Sequence, residues 1–139
     1  MGTDQLYQDE ILKFARMARG HGRLDTASYS AQVKNPSCGD LVNVDVTLDD
    51  DGRVCQIGIA TEGCALCEAS AGFLISIAPG RHRHDFTRLH DELAAWLGGN
   101  TSTMITPEQE AFRAVRDFTS RHTCVCLPFK AAVAALSST

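Results

Sequence analysis

Six cysteines and one aspartate carry most of the chemistry this sequence can do. Cys38 and Asp40 stand two apart in KNPSCGDLV (34–42). Cys64 and Cys67 share EGCALCEAS (62–70), Cys124 and Cys126 open CVCLPFK (124–130), and Cys55 stands alone in VCQIGIA (54–60). Thiolates are soft ligands for zinc and for iron–sulfur clusters, and they are also the nucleophiles of sulfur exchange. In an extended segment, residues two apart point to the same side, so Cys38 and Asp40 are expected to converge on one ion. Gly39 between them permits close approach or an unusual backbone angle. Three thiolates and one carboxylate, from Cys38, Asp40, Cys64 and Cys124, suit a four-coordinate zinc site or one edge of an iron–sulfur cluster. A carboxylate holds a soft metal less firmly than a fourth thiolate does, which favours transfer over permanent structure.

Other readings of the same residues stand beside this one. Cys64 and Cys67 lie on one helix face, and with Cys124 and Cys126 they would make a four-thiolate structural zinc site. A thioredoxin-like redox pair at Cys64 and Cys67 fits poorly, because the surrounding order is strand, hairpin and helix rather than βαβ. Cys55, inside a strand pattern, reads as a buried thiol acting as a small hydrophobe, and Cys67 reads as packing. His122, two residues before Cys124, is a candidate fifth group or proton donor at the site. His82 and His84 in RHRHD (81–85) read first as a solvated loop and second as metal ligands.

These residues need elements to hold them. Gln5 to Met17 has apolar residues at helical spacing, with Gly20 and Gly22 beyond it. Residues 41–48 (LVNVDVTL) alternate as a half-buried strand, DDDGR (49–53) is a hairpin turn, and Val54 to Thr61 is the returning strand with Cys55, Ile57 and Ile59 on one face. Ser28 to Val33 is expected to add a third strand. Residues 64–78 and 86–97 read as helices, the second amphipathic. Thr106-Pro107 opens a helix to about Ser120, and the last helix runs from Leu127 to Leu136 with Pro128 in its first turn. This order places Cys64 at a strand-to-helix junction and Cys124 at a loop-to-helix junction. Helix N-termini favour anions, and so the thiolate forms at both positions. The fold class expected is α+β: about three antiparallel strands against four to five helices, in one domain over residues 1–139.

Composition excludes several function classes. The chain has 139 residues, 44% hydrophobic and 22% charged, which is ordinary for a globular protein. Its net charge of −4 argues against a nucleic-acid backbone as main partner. Arg16 to Arg23 and Arg81 to Arg88 are local basic runs, read chiefly as solvated. Ala69 to Pro79, an uncharged and largely apolar stretch, is too short to span a bilayer. The opening MGTDQLYQDE has neither the basic nor the apolar part of a signal peptide, so free thiols in a cytoplasmic protein are the expectation.

Three stretches, NPSCGD (35–40), EGCALCEAS (62–70) and CVCLPFKAAVAAL (124–136), together resemble the IscU/SufU/NifU N-domain family of iron–sulfur assembly scaffolds. The resemblance covers roughly residues 28–137. It implies an α+β fold, metal ligation by Cys38, Asp40, Cys64 and Cys124, and a cysteine desulfurase of the SufS, IscS or NifS type as sulfur donor. Cys124 would be the first candidate to accept persulfide sulfur. The 59 residues between Cys64 and Cys124, Thr123 in place of a histidine, and Arg121 resemble the SufU branch more than the IscU branch. The family's basic stretch after the first helix is replaced here by RMARGHGRL (16–24), which alters the expected mode of partner docking. Two functions follow from the resemblance: a scaffold passing a transient 2Fe–2S or 4Fe–4S cluster to downstream carriers or apo-proteins, or a sulfurtransferase that binds Zn2+. They differ in whether the protein is an enzyme.

Overall fold

The computed structural model describes residues 2–36, 39–100, 102 and 104–137. The chain runs through α1 (Gly2–His21), β1 (Tyr29–Lys34), β2 (Leu41–Leu48), β3 (Val54–Glu62), α2 (Ala65–Ile77), α3 (Phe86–Leu97) and α4 (His122–Ser137). Short 3-10 segments cover Arg83–Asp85, Pro107–Asp117 and Thr119–Arg121. The strands pair in sequence order, all antiparallel. The architecture is therefore the α+β arrangement that strands followed by helices imply.

Alternation builds the sheet. Val42, Val44 and Val46 are buried as read, and β2 and β3 pair from Leu41 opposite Glu62 upward. The hairpin turn closes through Asp49, whose Oδ1 accepts from the backbone N–H of Asp51 (2.9 Å) and Arg53 (3.0 Å). Cys55 departs from the expectation of a buried thiol: it is exposed. Thr47 pairs with Gln56 and Leu48 with Val54, so Cys55 is one extra residue in β3. Such a bulge reverses the in-and-out phase on either side of it, so Val54 and Ile57 both face the core. The Cys55 thiol donates to the Thr47 carbonyl at 3.2 Å.

The helices complete one continuous core. α2 lies against α1 and α4, and α4 also covers β1 and β2. Phe73 of α2 is fully buried at the meeting point, with ring centroids 5.7 Å from Phe14, 5.8 Å from Phe112 and 6.0 Å from Phe129. α3 buries Phe86, Leu89, Leu93, Trp96 and Leu97 at the i, i+3, i+4 spacing of an amphipathic helix.

Two helix expectations are corrected. Residues 107–117 form a 3-10 segment rather than an α-helix, and Phe118 breaks it before the turn at Thr119–Arg121. Gln109, Phe112 and Val115 are buried at strict three-residue spacing, the period of a 3-10 helix. α4 begins at His122 rather than Leu127, so Cys124 lies inside its first turn and Pro128 falls within the helix. Proline there removes the N–H that would bond the carbonyl four residues back, that of Cys124.

One buried charge holds the sheet to the chain that follows α1. The Asp45 side chain is only 2% exposed. It accepts from Arg23 Nε (2.9 Å) and Nη2 (2.8 Å), Ser30 Oγ (2.7 Å) and the Leu24 backbone N–H (3.2 Å). The Arg23 hydrogen bonds, aided by Ser30 and Leu24 against the cost of burial, hold the carboxyl at about 2. Because the folded value lies below the ordinary one, this stabilisation is present at neutral pH. It is lost as pH falls from the ordinary carboxylate range toward about 2. Asp45→Asn is expected to cost about 1–2 kcal/mol at pH 7, less than the full linkage figure because the Arg23 side chain is half exposed. Urea unfolding at pH 7, 5 and 3 checks this: the gap between wild type and variant should narrow as pH falls, and a constant gap contradicts it.

Candidate metal centre

Asp40, Cys64 and Cys124 come from three different parts of the fold. Asp40 ends the loop between β1 and β2, Cys64 sits at the N-terminal boundary of α2, and Cys124 lies in the first turn of α4. Their ligand atoms all lie within 4.8 Å of one another. Asp40 is 3% exposed, Cys124 is fully buried and Cys64 is half-buried. Asp40 Oδ1 accepts the Cys64 backbone N–H at 3.1 Å, and Asp40 Oδ2 stands 3.6 Å from Cys64 Sγ. The carboxylate thus lies at the positive end of the α2 dipole.

The donor set suits a thiophilic divalent ion. With metal–sulfur bonds of about 2.3 Å and metal–oxygen bonds of about 2.0–2.2 Å, tetrahedral ligands stand about 3.6 Å apart. The Asp40–Cys64 pair meets that spacing. Gly63 makes it reachable: a Cβ there would stand 2.3 Å from Asp40 Oδ1 and 2.6 Å from its Cγ.

Other sequence expectations fare differently. Cys38 lies outside the described residues. The expected convergence of Cys38 with Asp40 therefore lies outside them as well; among the described residues, Gly39 has φ +78° rather than an extended backbone. The loop instead turns on Asn35, whose N–H donates to the Asp40 carbonyl and whose carbonyl accepts from Gly39 N–H, both at 2.8 Å. Gly39 is in the left-handed region that glycine alone enters without strain.

The four-thiolate arrangement does not assemble, since among the described residues only Asp40, Cys64 and Cys124 form such a group. Cys67 packs in the core as read. Cys126 is two residues past Cys124 on a helix, roughly 200° around the axis. It lines a separate cavity of about 280 Å3 with Lys34, Asn35, His90, Thr123 and Lys130. Burial pushes its thiol up to about 11, so it is protonated at neutral pH.

His122 does not reach the site. Its Nε2 donates to the carbonyls of Val115 (3.1 Å) and Arg116 (3.2 Å), which anchors α4 to the 3-10 segment before it. His82 and His84 serve a turn: His82 Nδ1 accepts the His84 N–H, while Asp85 Oδ2 accepts the His82 N–H. In the basic runs, Arg19 meets Glu68, Arg23 meets Asp45, and Arg88 meets both Asp85 and Glu92. Sequence reasoning missed Gly63, Asn35 and Thr123. Nothing local in the sequence shows that Asn35 Nδ2 donates to Thr123 Oγ1 at 3.0 Å.

The family model for the NifU-like N-terminal domain matches residues 6–125. The chain belongs to that family. Among curated relatives, the iron–sulfur cluster assembly scaffold protein IscU of Streptococcus pyogenes serotype M1 is 26% identical over 130 residues, covering 92% of this chain and 80% of the relative. The zinc-dependent sulfurtransferase SufU of Bacillus subtilis is 26% identical over 130 residues, 92% of this chain and 87% of the relative. The fold is shared with a crystal structure from Fervidobacterium islandicum, described as an iron–sulfur cluster assembly scaffold protein for a SUF system. That match has a TM-score of 0.81 at 22% identity and covers 97% of this chain and 99% of the other. The family membership and the α+β fold expected from the three motifs are thus borne out. Among the described residues, no helix is long and apolar enough to cross a membrane.

Proposed function

We propose that this chain is an iron–sulfur cluster assembly protein that holds a metal through Asp40, Cys64 and Cys124, with Cys38 as fourth ligand. The convergence of the three described ligand atoms within 4.8 Å carries this reading. When bound, a zinc ion would keep the thiols deprotonated and shielded from oxidation. The chain's own part is to accept sulfur. The Cys124 thiolate attacks the outer sulfur of a cysteine desulfurase persulfide, forming a new S–S bond on Cys124. The bond to the desulfurase cysteine breaks, and that cysteine leaves as a thiolate. A sulfane sulfur changes carrier with no net oxidation. Cys124 is fully buried, so acceptance requires the first turn of α4 to open.

The scaffold reading takes an iron–sulfur cluster as cargo and passes it to carriers or apo-proteins. The zinc-dependent sulfurtransferase reading has support from the Bacillus subtilis relative, which aligns over 92% of this chain, as the scaffold reading has from the Streptococcus pyogenes one. In both readings the chain acts as one domain in the cytoplasm, and Asp40 is the most exchangeable ligand. Metal analysis of purified wild type against Asp40→Ala, Cys64→Ser and Cys124→Ser tests the ligand set. Loss of metal in all three supports it, and unchanged metal in all three refutes it. Anaerobic reconstitution with iron and sulfide separates the readings: a stable, transferable cluster favours the scaffold, while zinc retention with stimulated desulfurase turnover favours the sulfurtransferase.

A further inference from the structure

We propose that Asn35 and Thr123 are positioning residues for the metal centre, forming a clasp that ties the Asp40 loop to the helix turn carrying Cys124. The inference rests on the metal-site reading above and adds residues outside its ligand set. Asn35 is 5% exposed and meets both sides of the site. Its backbone bonds Asp40 and Gly39, each at 2.8 Å, and so sets the shape of the loop. Its side-chain Nδ2 donates to Thr123 Oγ1 at 3.0 Å, across 88 positions of sequence. Thr123 immediately precedes Cys124.

The first turn of a helix is its weakest part, because its leading N–H groups have no partner within the helix and it opens by local fluctuation. Among the described residues, three side chains anchor this turn of α4: Thr123 through Asn35, His122, and Ser70. His122 holds it to the carbonyls of Val115 and Arg116, and Ser70 Oγ donates to the Val125 carbonyl. Of the three, only the Thr123 bond reaches the loop that presents Asp40. Releasing it lets Cys124 move away from Asp40 while His122 and Ser70 keep the helix docked. The clasp therefore sets both how firmly metal is kept and how often Cys124 becomes accessible.

Thr123 is itself exposed, and an exposed threonine replaced by valine is ordinarily close to neutral. Thr123→Val keeps the shape and removes the acceptor, whereas Thr123→Ser keeps the hydroxyl. Two rates are read. In metal-free protein, iodoacetamide alkylation of Cys124 is followed by peptide mass spectrometry, with exposed Cys55 as internal reference. In zinc-loaded protein, zinc release to a chromophoric chelator is followed by absorbance.

Thr123→Val is expected to raise both rates roughly two- to ten-fold, the range one lost hydrogen bond produces, with Thr123→Ser restoring both. Asp45→Asn, which weakens the sheet elsewhere, should leave both unchanged. Wild-type alkylation in Thr123→Val overturns the proposal. So does a Ser variant no better than Val, an equal acceleration in Asp45→Asn, or faster alkylation without faster zinc release. If wild-type protein holds no zinc, the metal reading fails, and the alkylation series alone then decides whether the clasp controls access to Cys124.

Discussion

Gly63→Ala is expected to lower zinc affinity on the order of 10- to 100-fold in a protein that stays folded, the loss typical when the groups orienting a metal ligand are disturbed. The added Cβ would stand 2.3 Å from Asp40 Oδ1, 2.6 Å from Cγ and 3.0 Å from Cβ. Moving the tip alone does not relieve the clash, because it extends to the base of the side chain. Asp40 is 3% exposed, so its carboxylate has little solvent to swing into. The backbone at Gly63 is not in the left-handed region, so alanine adds no conformational strain there. Competition with a chelator of known zinc affinity, alongside thermal melting of the metal-free forms, measures the two parts separately. Wild-type zinc affinity in Gly63→Ala would remove Asp40 from the ligand set.

Phe73→Ala is expected to have the largest effect on stability, about 3–5 kcal/mol. Phe73 is fully buried, and its ring meets Phe14 of α1, Phe112 of the 3-10 segment and Phe129 of α4. Truncation leaves a cavity between elements that cannot close up together, since each is also fixed to another neighbour. Against a typical total of about 5–15 kcal/mol, such a loss takes roughly a fifth or more of the stability. The midpoint of thermal unfolding should fall by roughly 10–20 °C. A fall of only a few degrees would mean that the four aromatic rings do not share one rigid core.

Legibility in the sequence followed the range of the interactions involved. β2 and α3 were readable to their ends because alternation and amphipathic spacing are local signals. The inward phase of Cys55 was misread because a bulge inserts one residue without a compositional mark. The start of α4 was displaced because Pro128 is a common first-turn residue, and here packing around Val125 and Leu127 overrides that preference. The grouping of Asp40, Cys64 and Cys124 was legible because residue type and position at element ends pointed the same way. What joins them was not legible: the Asn35–Thr123 bond depends on how the β1–β2 loop meets α4, which no window of sequence contains.

The bulge in β3 also says something about changes of length. Without Cys55, the strand from Val54 reads apolar, polar, apolar in unbroken alternation, with Leu48 opposite Val54 and Thr47 opposite Gln56 already paired. Loss of that one codon therefore leaves the inward-facing set intact. Loss of Ile57 two positions later would invert every side chain from Gly58 to Glu62 and carry Gly63 and Cys64 out of reach of Asp40. Along this strand, a lineage is free to lose the one residue before Gln56 and is held to a fixed count after it.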